Sequence, residues 1–168
     1  AGAIAQCPLV DGLAGVTNIP LSRGLRLTAH GLFDLIGSAL GRPPQYLQVS
    51  VPRGHFGLIA TDDAMAGLAR LDPADGSWPN DITARSVLDV MMHRPVRRAA
   101  QARCPLLMVV AEHDTMAPIG PALRVASRAP RGELYRSRGG HYDVYSGGLD
   151  HDNVVRVELE FLRRHCGC

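Results

Sequence analysis

Six consecutive apolar residues, Leu106-Leu-Met-Val-Val-Ala111, set the tightest limit on how this chain folds. A strand with one wet face alternates apolar and polar side chains, whereas a strand covered on both faces, as in a parallel sheet, reads as an unbroken apolar run. The residues that follow continue the pattern: helical spacing from Ile119 to Ser127, an extended segment Gly132–Ser137, and a helix from about Asp150 to Arg164. Asp150 and Asp152 at the start of that last helix, and Arg163, Arg164 and His165 at its end, match its dipole. Val154, Val155, Leu159 and Leu162, with Phe161 beside them, are its expected buried stripe. Near residue 1, the run Ala3-Ile-Ala-Gln-Cys7, closed by Pro8, reads as a further short strand. The expected class is α/β, with about three parallel strands.

Between these strands the chain reads as short helices. Leu21, Leu25, Leu32, Leu35, Ile36 and Leu40 recur at helical spacing and stop at Gly41-Arg-Pro-Pro44, which predicts a helix, or a helix pair broken near Gly31. Gln45 to Ile59 reads as irregular or weakly extended. A short helix from Ala64 to Leu71 is expected, with Thr61 as cap. Another should run through Ile82, Val87, Leu88, Val90 and Met91, capped by Asn80 or Asp81 and stopped before Pro95.

Composition excludes several functions. All 18 basic residues are Arg, so no lysine exists to form a Schiff base or a Gly-Lys-Ser/Thr phosphate loop. The net charge of +2 is far too small for a nucleic-acid footprint. No apolar run approaches the roughly 20 residues that span a bilayer. Neither nucleic acid nor membrane is therefore an expected partner, no cofactor is implied, and a cytoplasmic location is the working expectation. The four cysteines lack the density of a disulfide scaffold and read as reduced thiols. Cys166-Gly-Cys168 and the pair His151, Asp152 are the metal candidates, and both read more simply as a chain end and a helix start.

Two residues stand where strands hand over to loops, the edge at which open α/β sheets build their sites. Asp114 follows the buried strand, in Glu112-His-Asp-Thr-Met-Ala-Pro118, and His141 follows the next, in Gly139-Gly-His-Tyr-Asp143. Hydrolysis by an activated nucleophile needs an acid that orients a histidine and a histidine that takes the nucleophile's proton, and here both come in the order acid then base. Asp11, after the first strand, is the rival acid. His113 reads as a surface neighbour, Trp78 and Tyr46 as packing residues, and His30, His55 and His93 have no partner at ligand spacing. Tyr142 and Tyr145 stand beside His141 and suit packing or substrate contact equally.

Cys104-Pro-Leu-Leu-Met-Val-Val-Ala-Glu-His-Asp114-Thr-Met-Ala-Pro118, then Gly140-His141 and the last helix through Glu160-Phe-Leu-Arg-Arg-His165, resemble the C-terminal part of a bacterial α/β-hydrolase. The resemblance implies that Asp114 is the acid and His141 the base of a catalytic triad. It also implies a core strand and loop at 1–12, a helical cap at 13–102 and the C-terminal α/β core at 103–168. The expected activity is hydrolysis of an ester, thioester or related acyl bond in a small molecule. The family's nucleophile lies in Gly-x-Ser-x-Gly, and none of the eight serines read against that pattern here, Ser22, Ser38, Ser50, Ser77, Ser86, Ser127, Ser137 and Ser146, matches it. With Ala1 rather than Met at the start, the expectation is that residues outside this chain supply serine and oxyanion hole. The bare edge of the first strand should then pair with that missing N-terminal portion or with another chain, a homo-oligomer included. A noncatalytic subunit that only binds a partner or small ligand is the alternative.

Overall fold

The computed structural model describes residues 1–73 and 76–167. The chain divides into two compact units, Ala1–Asp11 with Arg94–Cys168, and Gly12–His93.

The first unit is built on a three-stranded parallel sheet of the order β1 (Ala3–Gln6), β4 (Leu106–Ala111), β5 (Gly132–Ser137). The apolar run Leu106–Ala111 is the central strand. Its side chains alternate between two covered faces, which is why all of them are apolar. Met108 and Val110 face a core with Val10, Val96, Ala99, Ala122, Val125 and Ala126, supplied by the 3-10 helix Pro95–Gln101 and by α5 (Ile119–Arg128). Leu107, Val109 and Ala111 face the opposite way, against Cys7, Val144, Val154 and Phe161, the last two from α6 (His151–Cys166). Burying an apolar side chain of this size stabilises the fold by roughly 1.5–3 kcal/mol. The sheet is thus a filled sandwich of helix, strand and helix.

The periodicity along α6 needs one correction. Leu159 is exposed, while Phe161 is fully buried with Val154 and forms the anchor of the helix. The dipole pattern stands as read, with Asp152 in the first turn and Arg163, Arg164 and His165 in the last.

The second unit holds α1 (Gly12–Thr17), α2 (Leu21–Ala39), α3 (Ala64–Leu71), α4 (Ser86–Met92) and a two-stranded antiparallel sheet of β2 (Tyr46–Gln48) and β3 (Asp81–Thr83). Its core is Leu27, Leu47, Ala84 and Val87. Several expectations change here. α2 is one continuous helix through Gly31, because that glycine lets the helix approach Ala84 and Leu88, where a Cβ would meet the Ala84 carbonyl at 3.1 Å. Its apolar periodicity marks the outer side of the helix within this chain: Leu21, Leu25, Leu32, Leu35, Ile36 and Leu40 are exposed, and Gly24, Leu27, Gly31, Asp34 and Gly37 are buried. The segment 45–59, expected to be irregular or weakly extended, contributes the three-residue strand β2. Residues 81–83 form a strand rather than a helical turn. Asn80 therefore caps nothing: its side chain bridges the backbone of Ser50, accepting from the N–H at 2.8 Å and donating to the carbonyl at 2.7 Å. Thr61 does not cap α3 either, and its hydroxyl is buried without a hydrogen-bond partner.

Asp34 is the polar centre of this unit. Its carboxylate accepts the N–H of Gln45 at 2.8 Å and that of Arg85 at 2.9 Å. These two backbone donors hold its pKa below the usual carboxylate value. No helix among the described residues is long and apolar enough to cross a membrane.

Candidate active site

Asp114 and His141 come from adjacent strands, and the backbone ties their loops together before any side chain meets. Past the end of β4, the Glu112 N–H donates to the Ser137 carbonyl at 2.8 Å and the His113 N–H to that of Gly139 at 3.1 Å. The loop then closes on the Asp114 side chain, whose Oδ1 accepts the N–H groups of Met116 at 2.8 Å and Ala117 at 2.7 Å. An aspartate that bonds the backbone two and three residues ahead is a local turn, and it fixes the carboxylate before α5 begins.

The second loop has its own lock. Asp143 accepts the Gly140 N–H at 2.7 Å, which curls Gly139 to Asp143 tightly enough that a Cβ on Gly139 would stand 2.4 Å from that of Asp143. His141 opens the 3-10 helix His141–Val144 that leaves this turn.

The two side chains meet directly, with His141 Nδ1 2.9 Å from Asp114 Oδ2. The carboxylate side chain is 2% exposed and the imidazole 16%. An ionised carboxylate only accepts, so Nδ1 carries the proton and donates, which leaves Nε2 as the basic nitrogen of the ring. Tyr142 and the imidazole stand T-shaped with centroids 5.2 Å apart, and Tyr145 lies tilted at 6.2 Å. These contacts restrict the ring's rotation.

A third group completes the cluster, and sequence reasoning missed it. Cys7, just past β1, places its sulfur so that Sγ, a carboxylate oxygen of Asp114 and a ring nitrogen of His141 lie within 4.8 Å of one another. The residue is buried and takes φ of 41°, in the left-handed region that a side chain rarely adopts, at a cost of about 1–2 kcal/mol. Burial first, then the Asp114 carboxylate, pushes its thiol from the ordinary 9.0 up to about 12. The thiol is therefore protonated at neutral pH and a weak nucleophile. Tyr145 is raised to about 12 as well, chiefly by burial and then by Cys7 and Asp114. The signal that could have found Cys7 is its place at the carboxyl end of the strand beside the apolar run.

Among the described residues, Cys7, Asp114 and His141 also form a group that could offer three ligands to a metal ion. A cation there would compete with the imidazole proton for Asp114 Oδ2, while Oδ1 is held by two backbone donors. The other candidates fall elsewhere. Asp11 faces Arg94, with Oδ1 2.7 Å from Nε and Oδ2 2.9 Å from Nη2, and is thereby committed to a cation rather than to the histidine. His151 Nδ1 lies 3.2 Å from the Val144 carbonyl, a contact inside the fold. Cys166 is exposed at the end of α6, and Cys168 lies outside the described residues.

No family profile matches the chain. Over 164 residues it is 35% identical to the quorum-quenching protein AidA of Acinetobacter baumannii strain MDR-ZJ06, a match that covers 98% of this chain and 54% of that protein. The chain thus spans about half the length of that relative. Among solved structures, the α/β-hydrolase GrgF from Penicillium sp. sh18 superposes with a TM-score of 0.71 at 22% identity, over 100% of this chain and 56% of that one. DcsB in complex with its substrate analogue gives a TM-score of 0.72 at 19% identity, over 96% of this chain and 56% of that one.

Proposed function

The chain has the fold of the C-terminal part of the α/β-hydrolases, and from that premise we propose that it supplies the acid and base of a hydrolytic site acting on an ester, thioester or related acyl bond. The observation that carries this reading is the 2.9 Å bond between His141 Nδ1 and a buried Asp114 carboxylate. With Nδ1 donating, Nε2 takes the proton of an attacking nucleophile and later returns it to the leaving group, and Asp114 steadies the imidazolium formed in between. The nucleophile and the donors for the oxyanion come from outside residues 1–168, since no serine here stands in Gly-x-Ser-x-Gly. Likeness to a quorum-quenching protein supports a small quorum signal with a hydrolysable acyl bond as substrate. The helical cap, expected at 13–102, is assigned to the compact unit Gly12–His93 on its place in chain order, since Val96 and Ala99 of the 3-10 helix Pro95–Gln101 pack in the sheet's core.

The open edge of β1 receives the remainder of the sheet. The Ala3 and Cys7 N–H groups donate to Pro105 and Val109 of the β4 side, so those of Ile4 and Gln6 point the other way. A strand from the preceding part of the protein, or from another chain, would pair there. In the full-length protein, slow exchange of the Ile4 and Gln6 amides is the expected mark of that pairing. Fast exchange would refute it.

Hydrolysis of p-nitrophenyl esters by the full-length gene product tests the catalytic reading. Asp114→Asn is expected to lower kcat on the order of 10⁴-fold, and His141→Ala to abolish turnover, with both variants folded by circular dichroism. Undiminished hydrolysis in either variant would overturn the assignment. The missing serine motif favours one second reading, a noncatalytic binding subunit, which predicts no turnover from the full-length protein at all.

A further inference from the structure

Helix α2 carries an apolar stripe on the side that its own unit leaves open. Leu21, Leu25, Ala29, Leu32, Ile36 and Leu40 are all exposed, the leucines and the isoleucine by 46% to 78%. At 3.6 residues per turn they fall within an arc of about 100°, opposite the arc of Gly24, Leu27, Gly31 and Asp34 that packs inward. A free leucine or isoleucine offers roughly 200 Å², so this stripe, with Leu35 at its margin, leaves roughly 700 Å² open, close to the roughly 800 Å² that each partner gives a standard interface. A lone monomer rarely exposes so large a contiguous apolar patch. No charge interrupts it, because the three charged residues of α2 are held by their own unit. Arg23 donates to the His55 carbonyl at 2.5 Å, the Arg26 guanidinium lies 4.1 Å from the centroid of the Phe56 ring, and Asp34 is buried on the N–H groups of Gln45 and Arg85.

The stripe also reads the same in both directions. Leu21 and Leu40, Leu25 and Ile36, and Ala29 and Leu32 each lie at equal distances from the midpoint between His30 and Gly31. Two copies of α2 laid antiparallel about a two-fold axis at that midpoint set Leu21 against the partner's Leu40, Leu25 against the partner's Ile36, and the small Ala29 against the partner's Leu32. The alanine beside the axis leaves room for the larger side chain, so the helices can close to the 8–10 Å typical of packed pairs. We propose that α2 is a homodimer interface, in which the helix packs antiparallel against α2 of a second copy of the protein. An isologous contact needs a surface that fits its own rotated image, and the palindromic spacing of the stripe supplies one. This inference rests on α2 alone and stands apart from the reading of Asp114 and His141.

Sedimentation equilibrium of the full-length protein is the test. The wild type is expected to be a dimer at micromolar concentration. Leu25→Glu and Ile36→Arg should each weaken association about tenfold or more, because each sets a charge against an apolar partner. Combined in one chain they should restore association toward the wild-type constant, since the antiparallel register brings each introduced carboxylate against an introduced guanidinium of the other copy. A wild type that stays monomeric at every concentration, its stripe then covered by the preceding part of the same protein, overturns the proposal. So does a dimer whose constant neither single substitution changes, or a double variant that associates no better than the single ones. Circular dichroism checks that the variants fold, and a measurement on the wild type decides the matter where they do not. Hydroxyl-radical labelling of Leu21, Leu25, Ile36 and Leu40 should fall as rising concentration converts monomer to dimer. Labelling of α2 that does not change with concentration would refute the interface.

Discussion

Asp11 and Arg94, 83 residues apart in the chain, close the gap through which the polypeptide leaves and re-enters the sheet-bearing unit. The carboxylate is 5% exposed and meets the guanidinium with both oxygens, a two-pronged geometry that only arginine provides. The hydrogen bonds that Arg94 donates to Asp11 raise the pKa of its guanidinium. One backbone bond, from the Val96 N–H to the Val10 carbonyl at 3.0 Å, lies just inside the pair.

Asp11→Asn therefore separates two roles that an acid beside a strand end can have. It is expected to lower the melting temperature by several degrees, since it leaves a part-buried guanidinium short of its counter-charge. It should leave the His141 Nδ1 proton resonance in place, whereas Asp114→Asn removes it. Loss of that resonance in Asp11→Asn would mean that the two acids share the histidine.

Alkaline stability follows from Cys7 and Tyr145. Both are raised to about 12 in the folded chain, from ordinary values of 9.0 and 10.0. A group whose folded pKa is raised contributes stability that is complete below its unfolded pKa and is lost as pH rises toward the folded value. Melting temperature should thus fall between about pH 9 and 12, and the fall should be shallower in Cys7→Ala. Calorimetry across that range measures it. An identical slope in the variant would show that the thiol does not contribute.

Gly139 is a steric requirement of the histidine loop. An added Cβ would approach the Asp143 Cβ to 2.4 Å, so Gly139→Ala must open the turn that Asp143 closes. The expected cost is about 1–3 kcal/mol by urea unfolding, together with loss of the His141 to Asp114 proton resonance. Neither effect should appear in Gly147→Ala beyond the strain of its own positive φ, because nothing stands within 4 Å of that position.

Acid stability of the 12–93 unit should depend on Asp34. Its pKa is depressed by two backbone donors, so its contribution is present above the unfolded carboxylate value, about 3.9, and is lost as pH falls through the lower folded value. Asp34→Asn should be less stable at neutral pH and show a flatter decline on acidification. A variant with wild-type slope would remove Asp34 from the account.

The strands and the two partners of the site were legible because each obeys a local rule. An apolar run of six, too short for a buried helix and preceded by Pro105, suits a doubly covered strand, and an aspartate and a histidine that follow successive parallel strands emerge at one edge of the sheet. α2 shows where such rules stop. Most of its leucines carry the helical period on the exposed side, while Gly24, Leu27, Gly31, Asp34 and Gly37 take the buried one, and at Gly31 the close approach of Ala84 and Leu88 leaves little room for a side chain. Periodicity reports that a helix exists and which residues share a face; it does not report which face has a neighbour.

The same division runs through the site. By itself the sequence determined the α/β class, the parallel strands, and the candidacy of Asp114 and His141, since these depend on hydrophobic pattern and position along a strand. Which side chains meet is a matter of tertiary contact: Asp114 lies against His141, Asp11 against Arg94, and Cys7 comes within 4.8 Å of the first pair. These meetings depend on which strands are neighbours and how their ends align. That is set by contacts between residues more than one hundred positions apart, as between Cys7 and Asp114, and no local window of sequence contains them.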